Sequence, residues 1–477
     1  MRRRRGTAMG WGAKAGSTVA AVLLLTGVYL TLDAYDVVPG LLTTEPAPAP
    51  AAPFPDSPGA VAGEPPELVT VMLGEDAPVP AAASVQSLVD DLADDDRLGT
   101  RVGVSVVDAA SGETLGTHAP DASFVPASTQ KLLTAVAALS TITPGTRFPT
   151  TVEHAGDGLL VLRGGGDTLL AAGAGDPDAV NGHAGLGDLA DQVAGELTLT
   201  GDTSVTLRVD DSLFTGPSVS PTWDPGFVTD GYASAVTALA VDGARLEDDE
   251  YAPRADDPSL AAGEIFAEAL ADRGITVDGD VKRATVEASP LVGAVQSAPV
   301  EDIVGYFLEH SDNSVTEAVG RLVALQAGRE GSFDGATSAV TTAVERLGVD
   351  LTGAELVDCS GLGEGSDLSP TQLTDVVELI TDPEQPRLRP AAVQMPIAGL
   401  TGTLDDRFVG DPGAGVTRAK TGSLSNVRSL SGTTVTDDGR MLAFAVLADK
   451  IPDENAWGAP FIIDDFVDEL ASCGCTG

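Results

Sequence analysis

Residues 124–142 read FVPASTQKLLTAVAALSTI, and the fold reading starts from this stretch. From Lys131 onward, apolar residues fall on every side of a helical wheel. The segment is therefore expected to be a buried helix opening at Pro126-Ala127-Ser128. Ser128 and Lys131 stand three apart, which puts them on one helical face within reach of each other. A serine is a poor nucleophile until a neighbouring base takes its proton. A lysine serves as that base only where burial or a second cation lowers its pKa. The helix N-terminus would also aim free N–H groups at a developing oxyanion. The pair alone is weak evidence, because with so few lysines chance still supplies one such spacing about one time in three.

Working outward, only five of the 27 basic residues are lysine: Lys14, Lys131, Lys282, Lys420 and Lys450. A lysine kept where arginine is the usual cation points to a role arginine cannot fill, such as giving up a proton. A compositional leftover is the plain alternative. Two further clusters bear on the choice. His310-Ser311-Asp312-Asn313 follows the apolar run VGYFL, where Ser311 would relay a proton and Asn313 would hold a substrate amide. Read alone, it is more simply a helix N-cap, which Ser and Asn favour, and His310 reads as surface. Lys420-Thr421-Gly422-Ser423 lies in VTRAKTGSLSNVRSLSG. There Lys420 and Thr421 suit a carboxylate, Gly422 would let a substrate backbone approach, and Ser423 would offer its backbone N–H as an oxyanion donor. The three clusters in this order would arise by chance about once in a hundred such chains.

Together they resemble the penicillin-binding and β-lactamase superfamily of active-site serine enzymes, whose signature is S-x-x-K, S-x-N, K-T-G. More closely, the chain resembles the low-molecular-mass class C penicillin-binding proteins, the D-Ala-D-Ala carboxypeptidase/endopeptidase family. LVLRGGGDTLL, VDDSLFTGP, DCSGLGEGSDLSP and MPIAGLTGTLDDRF carry the likeness further, from about residue 84 to 470. The family's long insertions between its first two motifs match the 183 positions separating Ser128 from Ser311. The resemblance implies Ser128 as nucleophile, Lys131 as base, Ser311 and Asn313 as second element, and Lys420, Thr421 and Gly422 as third. It implies an α/β (α+β) fold with a serine transpeptidase/β-lactamase-like core, an antiparallel sheet flanked by helices, and a long β-rich insertion. The substrate implied is a peptidoglycan stem peptide ending in D-Ala-D-Ala, with β-lactams as covalent ligands and no metal or other cofactor. Cleavage of peptidoglycan cross-links is the alternative activity. A β-lactamase, or a catalytically silent cell-wall binding protein, is a further one. Cys359 departs from the pattern, standing where the family often has glycine before Ser-Gly-Leu.

Composition narrows the remaining classes. The chain has 477 residues and 71 acidic against 27 basic groups, a formal net charge of −44. Such a charge repels phosphate backbones, so nucleic acid is a poor partner. Hydrophobic residues make up 43% and aromatics 4%, so a large core must rest on Ala, Val and Leu. Three cysteines and four histidines leave little material for a zinc site.

Arg2 to Arg5, then the uncharged stretch from Ala15 to Leu32, then Asp33 and Asp36, give the charge order of an N-in, C-out segment. Its length is at the short end of what crosses a bilayer. We therefore expect residues 1–14 as a basic cytoplasmic segment and 15–35 as a membrane anchor, or a signal if cleaved. Either way the rest is expected on the extracytoplasmic side, in the cell envelope. Residues 36–83, rich in Pro and Ala, are expected as a tether. The catalytic domain is expected over 84–149 and 263–470, a β-rich module packed beside the cleft over 150–262, and a tail over 471–477. Outside the cytoplasm, Cys359 could pair with Cys473 or Cys475, or all three could stay thiols.

Overall fold

The computed structural model describes residues 26, 28–32 and 77–473. The chain divides into two units, residues 1–70 and 71–477. Of the first, the described residues form a helical turn at 28–32. Most of the expected anchor and tether lies outside the described residues. Among the described residues no helix is long and apolar enough to cross a membrane.

In the second unit, an amphipathic helix, Ala82–Ala93, precedes the strand Val102–Asp108 (β1), which is buried at every residue. β1 turns at Ser111-Gly112 into Thr114–His118 (β2). The segment at 127–142 begins with a 3-10 turn, Ala127–Gln130, and becomes α-helical only over Lys131–Thr141. Its residues from Lys131 to Leu139 are all buried.

The inserted chain follows. Strands Pro149–His154 (β3), Leu159–Arg163 (β4), Asp167–Leu170 (β5), Ser204–Asp210 (β6), Leu239–Val241 (β7), Thr276–Val277 (β8), Lys282–Arg283 (β9) and Leu291–Gln296 (β10) build it. One sheet runs β10-β3-β4-β6-β8 with β9 beside β6, and β5 pairs with β7. The helices Leu186–Thr200 and Pro258–Ala271 share a core with this sheet, through Leu189, Val193, Ala262 and Phe266. The expected boundaries and texture therefore change. The stretch LTLT, with the alternation of a strand, is the last turn of a helix. The module reaches Gln296, because helix 258–271 and β10 pack on it instead of starting the second half of the core. Its ends are stitched side by side: Phe148 N–H donates to Ser297 Oγ at 2.9 Å, and Ser297 N–H to Phe148 O at 3.1 Å.

Helices Val300–Glu309, Asn313–Gln326, Phe333–Arg346 and Pro370–Thr381 come next. Phe333–Arg346 is hard to read from local propensity, because its FDGATSAVTTAVER is rich in Thr, Ser and Gly, which are poor helix formers. Its start is capped by Ser332, whose side chain accepts from Gly335 N–H. Strands Arg418–Leu424 (β11), Val427–Val435 (β12) and Met441–Asp449 (β13) then complete a five-stranded antiparallel sheet, ordered β11-β12-β13-β1-β2, and the helix Ala459–Ala471 closes the fold. Both faces of this sheet are covered. On β13, Leu442, Phe444, Val446 and Ala448 enter a core shared with helices 82–93 and 459–471. Ala443, Ala445 and Leu447 enter the core of helices 131–141 and 370–381. A strand buried on both sides must be apolar throughout, which explains the unbroken run MLAFAVLA.

Cys359 is a buried free thiol, so it does not pair with the tail; Cys473 is disulfide-bonded. The thiol replaces a glycine-sized neighbour by using another glycine. A Cβ on Gly320 would stand 2.5 Å from Cys359 Sγ.

Candidate active site

Three elements converge: the turn at 127–130, the start of helix 313–326, and the edge strand β11. The turn is fixed from both sides. Val125 N–H donates to Asp449 Oδ2 at 3.2 Å, and Ser429 Oγ on β12 donates to Pro126 O at 2.6 Å. Ala127 carries φ +48°, an unfavourable left-handed conformation for alanine that the surroundings enforce. Ser128 follows it, half-buried.

Lys131 is fully buried beneath Ser128. Its Nζ lies 2.8 Å from Ser128 Oγ, 2.6 Å from Asn313 Oδ1 and 2.9 Å from Ser360 O. Burial pulls its pKa down to about 8, against the opposing pull of Asp358, Glu317 and Asp312. A lysine at that value is a competent base near neutral pH.

The second cluster is not the simple cap that Ser and Asn invite. Asp312 is the N-cap, accepting from Val315 N–H at 2.9 Å, and Asn313 is the first helical residue. Asn313 is thereby free to reach Lys131, and its Nδ2 donates to Tyr232 O at 2.8 Å. Ser311 sits just outside the helix at φ +54° and makes no side-chain hydrogen bond among the described residues. His310 is exposed and stacks on Tyr306 at 4.6 Å between ring centroids. It borders a cavity of about 510 Å³ that Asp302, Met395 and Thr401 also line.

On β11, Lys420 is fully buried and its Nζ donates to Thr421 O at 3.0 Å. Burial, and then the neighbouring charge of Lys131, push its pKa well below the ordinary lysine value. Lys420 Nζ also reaches Thr421 Oγ1 at 3.4 Å, and Thr421 shares a 2.8 Å hydroxyl contact with Thr403. Gly422 serves a purpose other than the expected one. A Cβ there would meet Ser429 Oγ at 2.0 Å and Pro126 O at 2.7 Å, so the bare position admits the protein's own turn at 126–128. Ser423 is exposed. Ala419 N–H points away from β12 to Pro396 O, and the two-residue alternation turns the Ser423 N–H to the same open edge.

Sequence reasoning missed the bracing around these groups. The inserted module does not merely lie beside the site. Arg245 Nη2 meets the buried Asp312 at 2.8 Å, Ser234 N–H donates to Ser314 Oγ at 2.8 Å, and Trp223 Nε1 donates to Asp358 Oδ2 at 2.8 Å. No motif spacing marks Arg245, Glu317 or Asp358. Their only sequence signal is charge placed inside otherwise apolar or glycine-rich runs. Among the described residues no group of three or more His, Cys, Asp or Glu is arranged to hold a metal ion. The arrangement provides a hydroxyl against a depressed amine, a second buried cation, and an open backbone edge, which together suit acyl transfer.

Comparison with known proteins gives the family and the fold. The family described as D-Ala-D-Ala carboxypeptidase 3 (S13) matches residues 85–253 and 244–459. Carboxypeptidase DacB of Mycolicibacterium smegmatis is 36% identical over 468 residues, covering 96% of this chain and 95% of that protein. A carboxypeptidase of Mycobacterium tuberculosis is 36% identical over 430 residues, covering 86% and 90%. Penicillin binding protein 4 of Haemophilus influenzae shares the fold, with a TM-score of 0.68 at 22% identity over 80% of this chain and 99% of that one.

Proposed function

The chain belongs to the D-Ala-D-Ala carboxypeptidase 3 (S13) family, and we propose that Ser128 is the nucleophile of its serine-type carboxypeptidase activity on peptidoglycan stem peptides. The observation that carries the assignment is the 2.8 Å contact between Ser128 Oγ and a fully buried Lys131. Neutral Lys131 takes the Ser128 proton as Oγ attacks the penultimate D-Ala carbonyl. The oxyanion is met by the N–H of Ser128, at the start of its turn where amides lack helical partners, and by that of Ser423. Collapse forms the ester and breaks the C–N bond, and the proton reaches the departing D-Ala amine through Ser311. Water then opens the ester and restores Ser128. Lys420 and Thr421 hold the terminal carboxylate, whose charge suits a buried cation that has no acidic partner among the described residues. A β-lactam enters by the same first step, its leaving amine remaining tethered.

The decisive experiment is labelling with a fluorescent penicillin beside Ser128→Ala. Labelling of the wild type alone is expected; labelling of both, or of neither, overturns the assignment.

Release of D-Ala from a cross-linked partner strand would use the same residues, so endopeptidase activity is a second outcome to assay. For a family of cell-wall enzymes the setting is the envelope. The charge order of residues 2–36 supports attachment to the membrane by the segment 15–35. Deleting residues 1–32 is expected to release a soluble protein that still acylates. Aggregation, or loss of labelling, would place that segment within the fold.

A further inference from the structure

Lys131 has three partners, and only one of them can give it a proton. Asn313 Oδ1 is an amide oxygen whose own Nδ2 is occupied by Tyr232 O. Ser360 O is a backbone carbonyl. Both accept and neither donates. A neutral amine has two N–H bonds and one lone pair. With its N–H bonds directed to those two oxygens, the lone pair is left facing the Ser128 hydroxyl. Removing either oxygen would free the amine to rotate and point an N–H at Ser128 instead.

One of these two acceptors belongs to a loop that cannot hold its own position. Residues 358–363 read DCSGLG and have no secondary structure beyond bends. They are pinned by side chains. Asp358 accepts from Gly361 N–H and Gly363 N–H, each at 2.7 Å, and Thr134 Oγ1 donates to Cys359 O at 2.7 Å. The amides of the residue that faces Lys131 and of its predecessor go to a single buried carboxylate. Glu317 Oε1 accepts from Ser360 N–H at 2.8 Å and from Cys359 N–H at 3.0 Å, and Oε2 from Cys359 N–H at 3.1 Å. Glu317 is fully buried and lies one helical turn beyond Asn313. One helix therefore sets both acceptors of Lys131: Asn313 directly, and Ser360 O through Glu317.

We propose that Glu317 is a positioning residue for the catalytic base, holding the Ser360 carbonyl where it takes one Lys131 N–H and so directs the amine lone pair at Ser128. The proposal rests on the base role argued above for Lys131. The charged groups facing Lys131 are Asp312 and Glu317 on helix 313–326, Asp358 on the loop and Lys420 on β11. Glu317 in turn faces Asp358, Arg321 and the Cys359 thiol. Burial pushes its pKa up, while the Cys359 and Ser360 N–H groups it accepts from favour its charged form.

The test is the rate constant of penicillin acylation, measured across pH on the full chain, for wild type, Glu317→Gln and Glu317→Asp. Glu317→Gln removes the charge and sets an NH2 against one of the loop amides. We expect the rate constant to fall about ten- to a hundredfold, the scale of a misplaced catalytic group. The acidic limb of the profile should also move to lower pH, because a negative charge that favoured protonated Lys131 is gone. Glu317→Asp keeps the charge but draws it back from the loop. It should lower the rate and leave the limb near its wild-type place. Rates are read from the population that labels, so a partly unfolded preparation does not change them, and each variant stands in for the other if one fails to fold. A wild-type rate in either variant, or a fall in Glu317→Gln with the limb unmoved, overturns the proposal. Normal labelling of Ser128→Ala would instead remove the reading of the site on which the proposal rests.

Discussion

Lys131 and Lys420 are both fully buried, and the charge of Lys131 depresses the pKa of Lys420. Two lysines in one site with different neighbours should fail differently. Lys131→Arg keeps the charge but cannot deprotonate near neutral pH. We expect acylation to fall at least about a hundredfold, read by stopped-flow with a fluorescent penicillin. Lys420→Arg should cost less, since carboxylate recognition needs charge and hydrogen bonds. The reverse order would exchange their roles.

The pH profile follows from the same pair. In the proposed mechanism Lys131 acts in its neutral form, and burial pulls its pKa down to about 8. Acylation should therefore rise with pH below that value and level off as pH passes it. The role proposed for Lys420 is that of a cation, so its lowered pKa should bring a decline on the alkaline side. A rate that is flat from neutral to mildly alkaline pH would contradict the base assignment.

Arg245 of the inserted module pairs with Asp312, both of them nearly buried at 10% and 3% side-chain exposure. Burial raises the Asp312 pKa, but Arg245, the Val315 N–H and Arg254 together outweigh it and hold the carboxyl below the usual range. Arg245→Ala would strand a buried charge at the cap of helix 313–326. A loss of about 3–5 kcal/mol is expected, measured by denaturant unfolding, with slower acylation. The sign with pH is fixed. The pair's contribution is full above the ordinary aspartate pKa and is lost as pH falls through the lowered one. The gap between variant and wild type should close on acidification.

Gly320 and Cys359 fill one space. Gly320→Ala brings a Cβ to 2.5 Å from Sγ, with Ala336 on the other side. Overpacking of this kind costs about 1–3 kcal/mol. Adding Cys359→Ala should recover most of the loss, so the thermal shifts of the two changes should be strongly non-additive.

Much of the site was legible because its chemistry depends on short spacings. Ser128 and Lys131 meet through one turn of chain, and Lys420 to Ser423 through one strand. The braces were not legible, since Arg245 reaches Asp312 across 67 positions and Glu317 reaches Ser360 across 43. Local pattern also misled where two periods overlap. LTLT alternates like a strand, yet the helix 186–200 claims it because Leu197 belongs to that helix's buried face. Gly422 was read as room for a ligand, and only the packing of Pro126 against it shows whose backbone uses the room.

The five-stranded sheet pairs Val102 with Ala448, nearly the two ends of the described fold. Three of its strands, β11 to β13, lie in the last part of the chain. Contacts of such sequence separation make for slow folding, because loop closure is costly before any long-range contact forms. The module over 149–296 is different: all its strands come from contiguous chain, and its entry and exit meet at Phe148 and Ser297. During synthesis or export the module can be complete while β1 and β2 still wait for their partner. The order of events is then inside first and outside last. The turn bearing Ser128, held between β12 and Asp449, is among the final pieces to be set. A chain cut short before residue 418 would lack β11 to β13, and with them the Ser429 and Asp449 side chains that hold the turn bearing Ser128.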